Sequence, residues 1–471
     1  MKLQISILLF FFLAINLISS AKTTIKINFP GSQGRKALLW TYSDFISYQQ
    51  IKNSETTIDS NGKFNFSLTN SQITFVTIQV EFLKIEFYVE PNMDYEIEVD
   101  KVDFNNRDLF PQEMIGYLNP QFKIVKPTKH ELNSELAMVT KVFDSFFDTA
   151  YLYLYQSRLP QETVEIFKAQ ADSIKSIIKS DFVKKFIEIQ LANLDLITRK
   201  VNTKYIVDNY FKSTNILYNN RLYMDFFNSF WSKYLLTSIK GLKYGELDSV
   251  INNGQSYYSL TRLIEKDEFL KEPKLRELVV LRNLNQMYAD RRFSKVAIQN
   301  ILSDIAAKGL NAENKKIATN IRKSLMWNAE SKAADFALPS FNNEIYSLKS
   351  FEGKYIYLNF WDDKCPKCLA EMDLEKELVY DFDDIINFVS VYVGPDTNLA
   401  KTIIENRDYK WINLYYNHDF EFLRNYKAEI LPLHILIDKN SNMEWFPAAL
   451  PSEDFKNLFL EMLNEKKGNL K

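Results

Sequence analysis

Cys365 and Cys368 are the only cysteines in 471 residues, and two residues separate them. This spacing constrains the chain more than any other feature. The run before the pair, Tyr355 to Phe360, is short and apolar, and the run after it, Leu369 to Leu378, follows a helical pattern. The pair therefore sits where a strand hands over to a helix. A helix start offers unpaired N–H groups and the positive end of the helix dipole, and both favour a thiolate over a thiol. A bond between the two would close a ring too tight to restrict the unfolded chain by much. Its value must lie in redox or metal chemistry instead.

Both chemistries fit a CxxC. Zinc would need two more ligands, and the remaining candidates are His130, His418 and His434, which form no close pair. Thiol exchange needs only the two sulfurs. Cys365, at the first turn, would attack a substrate disulfide, and Cys368, one turn further in, would resolve the mixed disulfide. Lys364 and Lys367 favour the thiolate, while Asp362 and Asp363 oppose it.

The N-terminus reads as an export signal. Lys2 is followed by an apolar run from Ile5 to Ile18, and Ser19-Ser20-Ala21 supplies small residues for cleavage. The expectation is that residues 1–21 are removed and the chain works in the periplasm or another extracytoplasmic compartment. No cysteine follows the run, so a lipoprotein is not expected, and no later stretch is long enough to span a membrane. Lys and Arg number 58 against 60 Asp and Glu, which gives no electrostatic case for nucleic acid or an anionic membrane surface.

At this length several domains are expected. Residues 22–125 alternate in short apolar runs, with a hairpin signal at Asp59-Ser60-Asn61-Gly62, and predict a β-sandwich-like domain of antiparallel strands. Residues 130–330 predict an all-α region, with helices near 181–198, 203–217, 221–239, 246–266, 274–289, 294–308 and 312–328. Its aromatic cluster, Tyr223, Phe226, Phe227, Phe230, Trp231 and Tyr234, fits either a bundle core or a groove. Residues 333–471 alternate strands (355–361, 386–393, 433–438) with helices (366–380, 397–407, 419–427, 452–466), an α/β layout.

This last region resembles the thioredoxin-fold domain of the TlpA/ResA type of exported thiol-disulfide oxidoreductases. The resemblance rests on Ala334-Asp335-Phe336-Ala337-Leu338-Pro339, Phe351-Glu352-Gly353-Lys354-Tyr355, Leu358-Asn359-Phe360-Trp361, Cys368-Leu369-Ala370-Glu371-Met372, Leu431-Pro432 and Leu436-Ile437-Asp438-Lys439. It implies a thioredoxin fold, catalytic Cys365 and Cys368, and Glu371 tuning or relaying protons for them. It further implies a cis Pro432 facing the dithiol, with Trp361, Pro366, Lys367 and Leu431 contacting substrate. No cofactor or metal is implied beyond the redox-active disulfide. The partners implied are protein disulfides and a membrane electron donor. The alternative for Glu371 is a solvated helix carboxylate, and for Pro432 an ordinary turn proline. The chain departs from the family pattern at Lys364, Lys367, Asp373, Leu433 and Ser441. The function expected is reduction of protein disulfides outside the cytoplasm; the alternative is an envelope binding protein with a weakly active or vestigial thioredoxin module.

Overall fold

The computed structural model describes residues 22–104, 118–127, 131–156, 158–198, 201–211, 216–239, 242–288, 290, 292–326 and 331–468; the expected export signal and His130 lie outside the described residues. Eight strands come first among the described residues: β1 (Lys22–Asn28), β2 (Lys36–Tyr42), β3 (Gln50–Thr57), β4 (Lys63–Thr69), β5 (Thr74–Val80), β6 (Leu83–Val89), β7 (Asp94–Val99) and β8 (Phe122–Lys126). They form two sheets, ordered β4-β1-β7-β8 and β3-β2-β5-β6. Alternation drives the packing: Ile25, Ile27, Phe64, Phe66, Val76, Ile78, Tyr95 and Ile97 meet in one buried cluster. The β3–β4 turn forms where predicted. The Asp59 carboxylate accepts from the Asn61 and Lys63 amides, both at 2.8 Å, and Gly62 takes φ +77° with Phe29 O 2.7 Å from where a Cβ would lie. One pairing departs from the antiparallel expectation. β1 and β7 run parallel, because the chain visits the second sheet between them, and alternation carries no information about strand direction.

Eleven helices follow among the described residues: α1 (Leu132–Tyr155), α2 (Gln161–Ile177), α3 (Asp181–Ile197), α4 (Thr203–Ile206), α5 (Arg221–Phe230), α6 (Tyr234–Thr237), α7 (Glu246–Gly254), α8 (Tyr257–Ile264), α9 (Pro273–Met287), α10 (Lys295–Lys308) and α11 (Ala312–Met326). Two helices expected to be continuous are broken, 221–239 at Lys233 and 246–266 at Gln255, both left-handed. In the stretch 203–217, α4 passes into a π-helical segment, Val207–Phe211, residues 216–217 are not helical, and 212–215 lie outside the described residues. The aromatic cluster is core, with Phe227 and Trp231 fully buried against Phe211. The helices share that core with the strands, since Phe45, Ile46, Phe75 and Tyr88 belong to the same apolar cluster. Polar ties reinforce the junction: Asn133 holds both backbone groups of Tyr88, Asn228 donates to Phe45 O at 2.6 Å, and Asn320 donates to Asp44 at 2.8 Å.

The C-terminal unit opens with a hairpin of β9 (Ala337–Pro339) and β10 (Ile345–Ser347). It continues through β11 (Tyr355–Trp361), α12 (Pro366–Phe382), β12 (Ile386–Tyr392), α13 (Thr397–Asn406), β13 (Ile412–Tyr415), α14 (Phe420–Asn425), β14 (Leu433–Ile437), β15 (Met443–Trp445) and α15 (Phe455–Gly468). The five-stranded sheet has the order β13-β12-β11-β14-β15. β11 pairs parallel with β12 and antiparallel with β14. As the central strand β11 is buried at all seven positions, which is why its sequence reads as a continuous apolar run. Ile356, Leu358 and Phe360 pack with Phe422 and Tyr426, while Tyr355 and Tyr357 pack with Phe455 and Phe459. The β-rich and C-terminal units touch where the Arg424 guanidinium lies 4.3 Å over the Trp40 ring and donates to Gln79 at 3.3 Å.

Candidate active site

The dithiol stands at the junction of β11 and α12. Cys365 is the N-cap of α12, with Pro366 as its first residue, and proline is well placed there because the first-turn N–H groups have no helical partner. The two sulfurs are bonded to each other, with Cα atoms 5.3 Å apart. The Cys368 amide points at the Cys365 sulfur, 3.1 Å away. That N–H and the helix dipole would stabilise a Cys365 thiolate once the bond is reduced. Both cysteines are buried, while Pro366 and Lys367 are exposed.

The aspartates before the dithiol turn inward, so the rim is less charged than their sequence suggests. Asp362 is buried, and its carboxylate accepts the Lys364 amide at 2.7 Å. The Asp363 carboxylate accepts the Tyr392 hydroxyl. Trp361 is fully buried beside Tyr392, ring centres 4.9 Å apart. Gly394 leaves room for this arrangement, since a Cβ there would lie 2.3 Å from the Tyr392 hydroxyl and 2.7 Å from Asp362 Oδ2.

The Leu431–Pro432 peptide is cis. Sheet register brings it to the dithiol. Phe360 pairs with Leu433, so Leu431 and Pro432 run alongside Trp361 and Asp362, and Leu431 shares one buried cluster with Trp361, Cys365 and Cys368. Of the sequence-predicted residues, Cys365, Cys368, Trp361, Leu431 and Pro432 thus gather at one end of the sheet, with Pro366 and Lys367 at the surface beside them.

Glu371 is placed differently from a residue poised at the sulfurs. Its carboxylate is buried and turned to the segment before α15, where it accepts the Ser452 hydroxyl at 2.6 Å and the Ser452 amide at 3.0 Å. It bonds neither sulfur. One turn further, Glu375 is completely buried. It accepts the Asn359 amide at 2.6 Å, and Asn359 also donates to Ser390 at 2.9 Å. His434 Nε2 lies 3.8 Å from Glu375 Oε2. Register explains the row, because Asn359 on β11 is the direct partner of both Ser390 on β12 and His434 on β14. Burial pushes the Glu375 carboxyl above its usual range, against the lowering effect of His434 and Asn359. Sequence reasoning placed His434 as a packed strand residue and missed Glu375. A signal existed, since Glu375 lies on the buried stripe Cys368, Met372, Leu378, Phe382 of α12. Among the described residues no three His, Cys, Asp or Glu side chains gather in a metal-binding group.

A cavity of about 950 Å³ opens between β6, α1 and α5, lined among others by Phe75, Tyr88, Leu136, Phe186, Arg221 and Asp225. Arg221 lies 4.5 Å over Phe75 and pairs with Glu86 at 3.5 Å.

Strand order, a dithiol at a helix start and a cis-proline beside it define a thioredoxin-fold module of the thiol-disulfide exchange class at the C-terminus. Comparison of the sequence with known families and relatives agrees. Residues 329–446 match the AhpC/TSA family. The chain is similar to the thiol-disulfide oxidoreductase ResA of Geobacillus thermodenitrificans, 29% identical over 130 residues, covering 27% of this chain and 73% of that one. It is also similar to ResA of Bacillus thuringiensis subsp. konkukian, 26% identical over 113 residues, covering 24% and 65%. Among solved structures, the thioredoxin domain of a thiol-disulfide oxidoreductase from Bacteroides vulgatus is 22% identical, covers 28% of this chain and 96% of that chain, and gives a TM-score of 0.27. All these matches span 24–28% of this chain. No described helix is long and apolar enough to cross a membrane.

Proposed function

We propose that this protein is an exported thiol-disulfide oxidoreductase that reduces protein disulfides through Cys365 and Cys368. The observation that carries the reading is the Cys365 sulfur at the N-cap of α12, facing the Cys368 amide at 3.1 Å. In the reduced enzyme the Cys365 thiolate attacks a substrate disulfide. A Cys365–substrate bond forms, and the displaced substrate sulfur leaves and takes up a proton. Cys368 then loses its proton and attacks the Cys365 sulfur. This closes the Cys365–Cys368 bond and releases the second substrate sulfur, which is protonated in turn. Two electrons pass from the dithiol to the substrate, so a reductant, expected to be a membrane electron donor, must restore the dithiol. The Leu431 backbone, Pro366 and Lys367 are the proposed contacts for the substrate polypeptide, while Trp361 is buried in the core beside the dithiol and Glu371 is held by Ser452 rather than at the sulfurs. The proposed site of action is the periplasm or an equivalent compartment, after removal of residues 1–21.

The test is reduction of insulin disulfides by the reduced protein. Wild type should turn over with a small dithiol as donor, and Cys365→Ser should lose activity entirely. Cys368→Ser should accumulate a mixed disulfide at Cys365 that names the substrate. A wild-type dithiol that fails to exchange with glutathione would sink the reading. The cavity beside Tyr88 favours a second reading, in which the β-rich and helical units bind an envelope ligand and the thioredoxin module is secondary. Absence of any cysteine-dependent adduct in cells would support it.

A further inference from the structure

Three polar groups meet behind the dithiol with their bonding capacity unspent. Glu375 is fully buried, and so, to within 2% exposure, are Asn359 and His434. Yet Glu375 Oε1, Asn359 Oδ1 and both ring nitrogens of His434 have no hydrogen-bond partner among the described residues. Leaving such atoms unpaired costs stability, and the low dielectric of the interior makes that cost high where several meet in one row. Similar apolar side chains would pack this site better. The separation of 3.8 Å between His434 Nε2 and Glu375 Oε2 is too long for a hydrogen bond, though within ion-pair range. Glu371 offers no equivalent freedom, because Ser452 occupies both of its oxygens.

We propose that Glu375, with His434 beside it, carries one exchangeable proton behind the dithiol, and that its loss or gain sets the pH range in which Cys368 acts as the resolving thiolate. This rests on the exchange reading above. With that proton Glu375 is electrically neutral; without it Glu375 carries one negative charge. Cys368 and Glu375 lie on one face of α12, seven residues apart, which is roughly 10 Å along the axis at about 1.5 Å per residue. At an effective dielectric of about 20, one charge at that distance raises the thiol's midpoint by about one pH unit. The pair thus acts by charge and bonds neither sulfur, so Glu375 and His434 are positioning residues. The other titratable groups facing Glu375 are Glu371, one turn earlier on α12, and the Tyr357 hydroxyl on β11, with Glu453 acting on Tyr357 from the turn before α15. Asn359 and Ser390 do not titrate in the working range. No atoms are lost over a cycle: Cys368 gives up its proton as its bond to Cys365 forms, and the departing substrate sulfur takes one up.

Because the chain has two cysteines, carbon-labelled cysteine gives a clean magnetic-resonance titration of Cys368 in the reduced protein. Wild type should titrate in two phases. Glu375→Gln should titrate in one phase, with its midpoint about one pH unit lower, whereas Glu375→Asp should keep two. His434→Gln should move the pair's phase to higher pH, since the carboxyl loses a partner that favours its charge. A structural role predicts the opposite ranking, with the isosteric glutamine near wild type and the shorter aspartate disrupted. Superimposable wild-type and Glu375→Gln curves would overturn the proposal. Should the variants fail to fold, the infrared difference between oxidised and reduced wild type decides. A change in the band of a protonated carboxyl supports the proton on Glu375, and a flat spectrum refutes it. These readouts need no turnover, so they fail independently of the insulin assay.

Discussion

Gly394 lacks a side chain because two other residues use its space. A Cβ there would sit 2.3 Å from the Tyr392 hydroxyl and 2.7 Å from Asp362 Oδ2, and Tyr392 is itself fully buried. Gly394→Ala should therefore push Tyr392 away from Asp363 and cost about 1–3 kcal/mol in chemical denaturation. Glu375 makes a second residue-scale prediction. Its folded carboxyl binds a proton more readily than the unfolded one, so its contribution to stability is complete below the ordinary carboxylate range. As pH rises through the raised folded value that contribution is lost, at up to about 1.4 kcal/mol per pH unit. Relative to wild type, Glu375→Gln should show a shallower loss of stability with rising pH, read from denaturation midpoints across that window. Ser441 illustrates a departure the backbone tolerates, since it takes φ +63° where the family pattern has glycine.

Among the elements, the segment before α15 is tied to α12 by Ser452 on Glu371. Ser452→Ala removes the hydroxyl bonded at 2.6 Å, leaves a buried carboxylate oxygen short of a partner, and should cost about 1–3 kcal/mol, with hydrogen exchange rising in α15 before β11. Elements were legible where their signal is local. The dithiol, β11 and α12 follow from the periodicity around residues 355–378. Strands β13 and β15, four and three residues long, are too short to show a period, and the expected helices 221–239 and 246–266 break at left-handed residues, Lys233 and Gln255, that are not glycine. The polar row escaped for a different reason. Asn359, Glu375, Ser390 and His434 come from four elements, and only the register of three strands brings them together.

At the scale of the molecule, the sequence suggested a change of structure near residue 130 but not that strands and helices would share an apolar core across it. Packing between distant segments leaves no periodic trace. The contact of Arg424 with Trp40 and Gln79 joins the β-rich unit to α14, which leads into the Leu431–Pro432 peptide. Arg424→Ala should weaken that contact by about 0.5–2 kcal/mol, seen as faster hydrogen exchange in β2 and β5 while β11 stays protected. The bonded pair at Cys365 and Cys368 also has a combinatorial consequence. Two sulfurs allow a single intramolecular pairing, and the fold already makes it. Within one chain there is no wrong disulfide to form, and so nothing for an isomerase to correct. The only sulfur bond left is one to another molecule, which is the same bond that the proposed reaction uses as its intermediate.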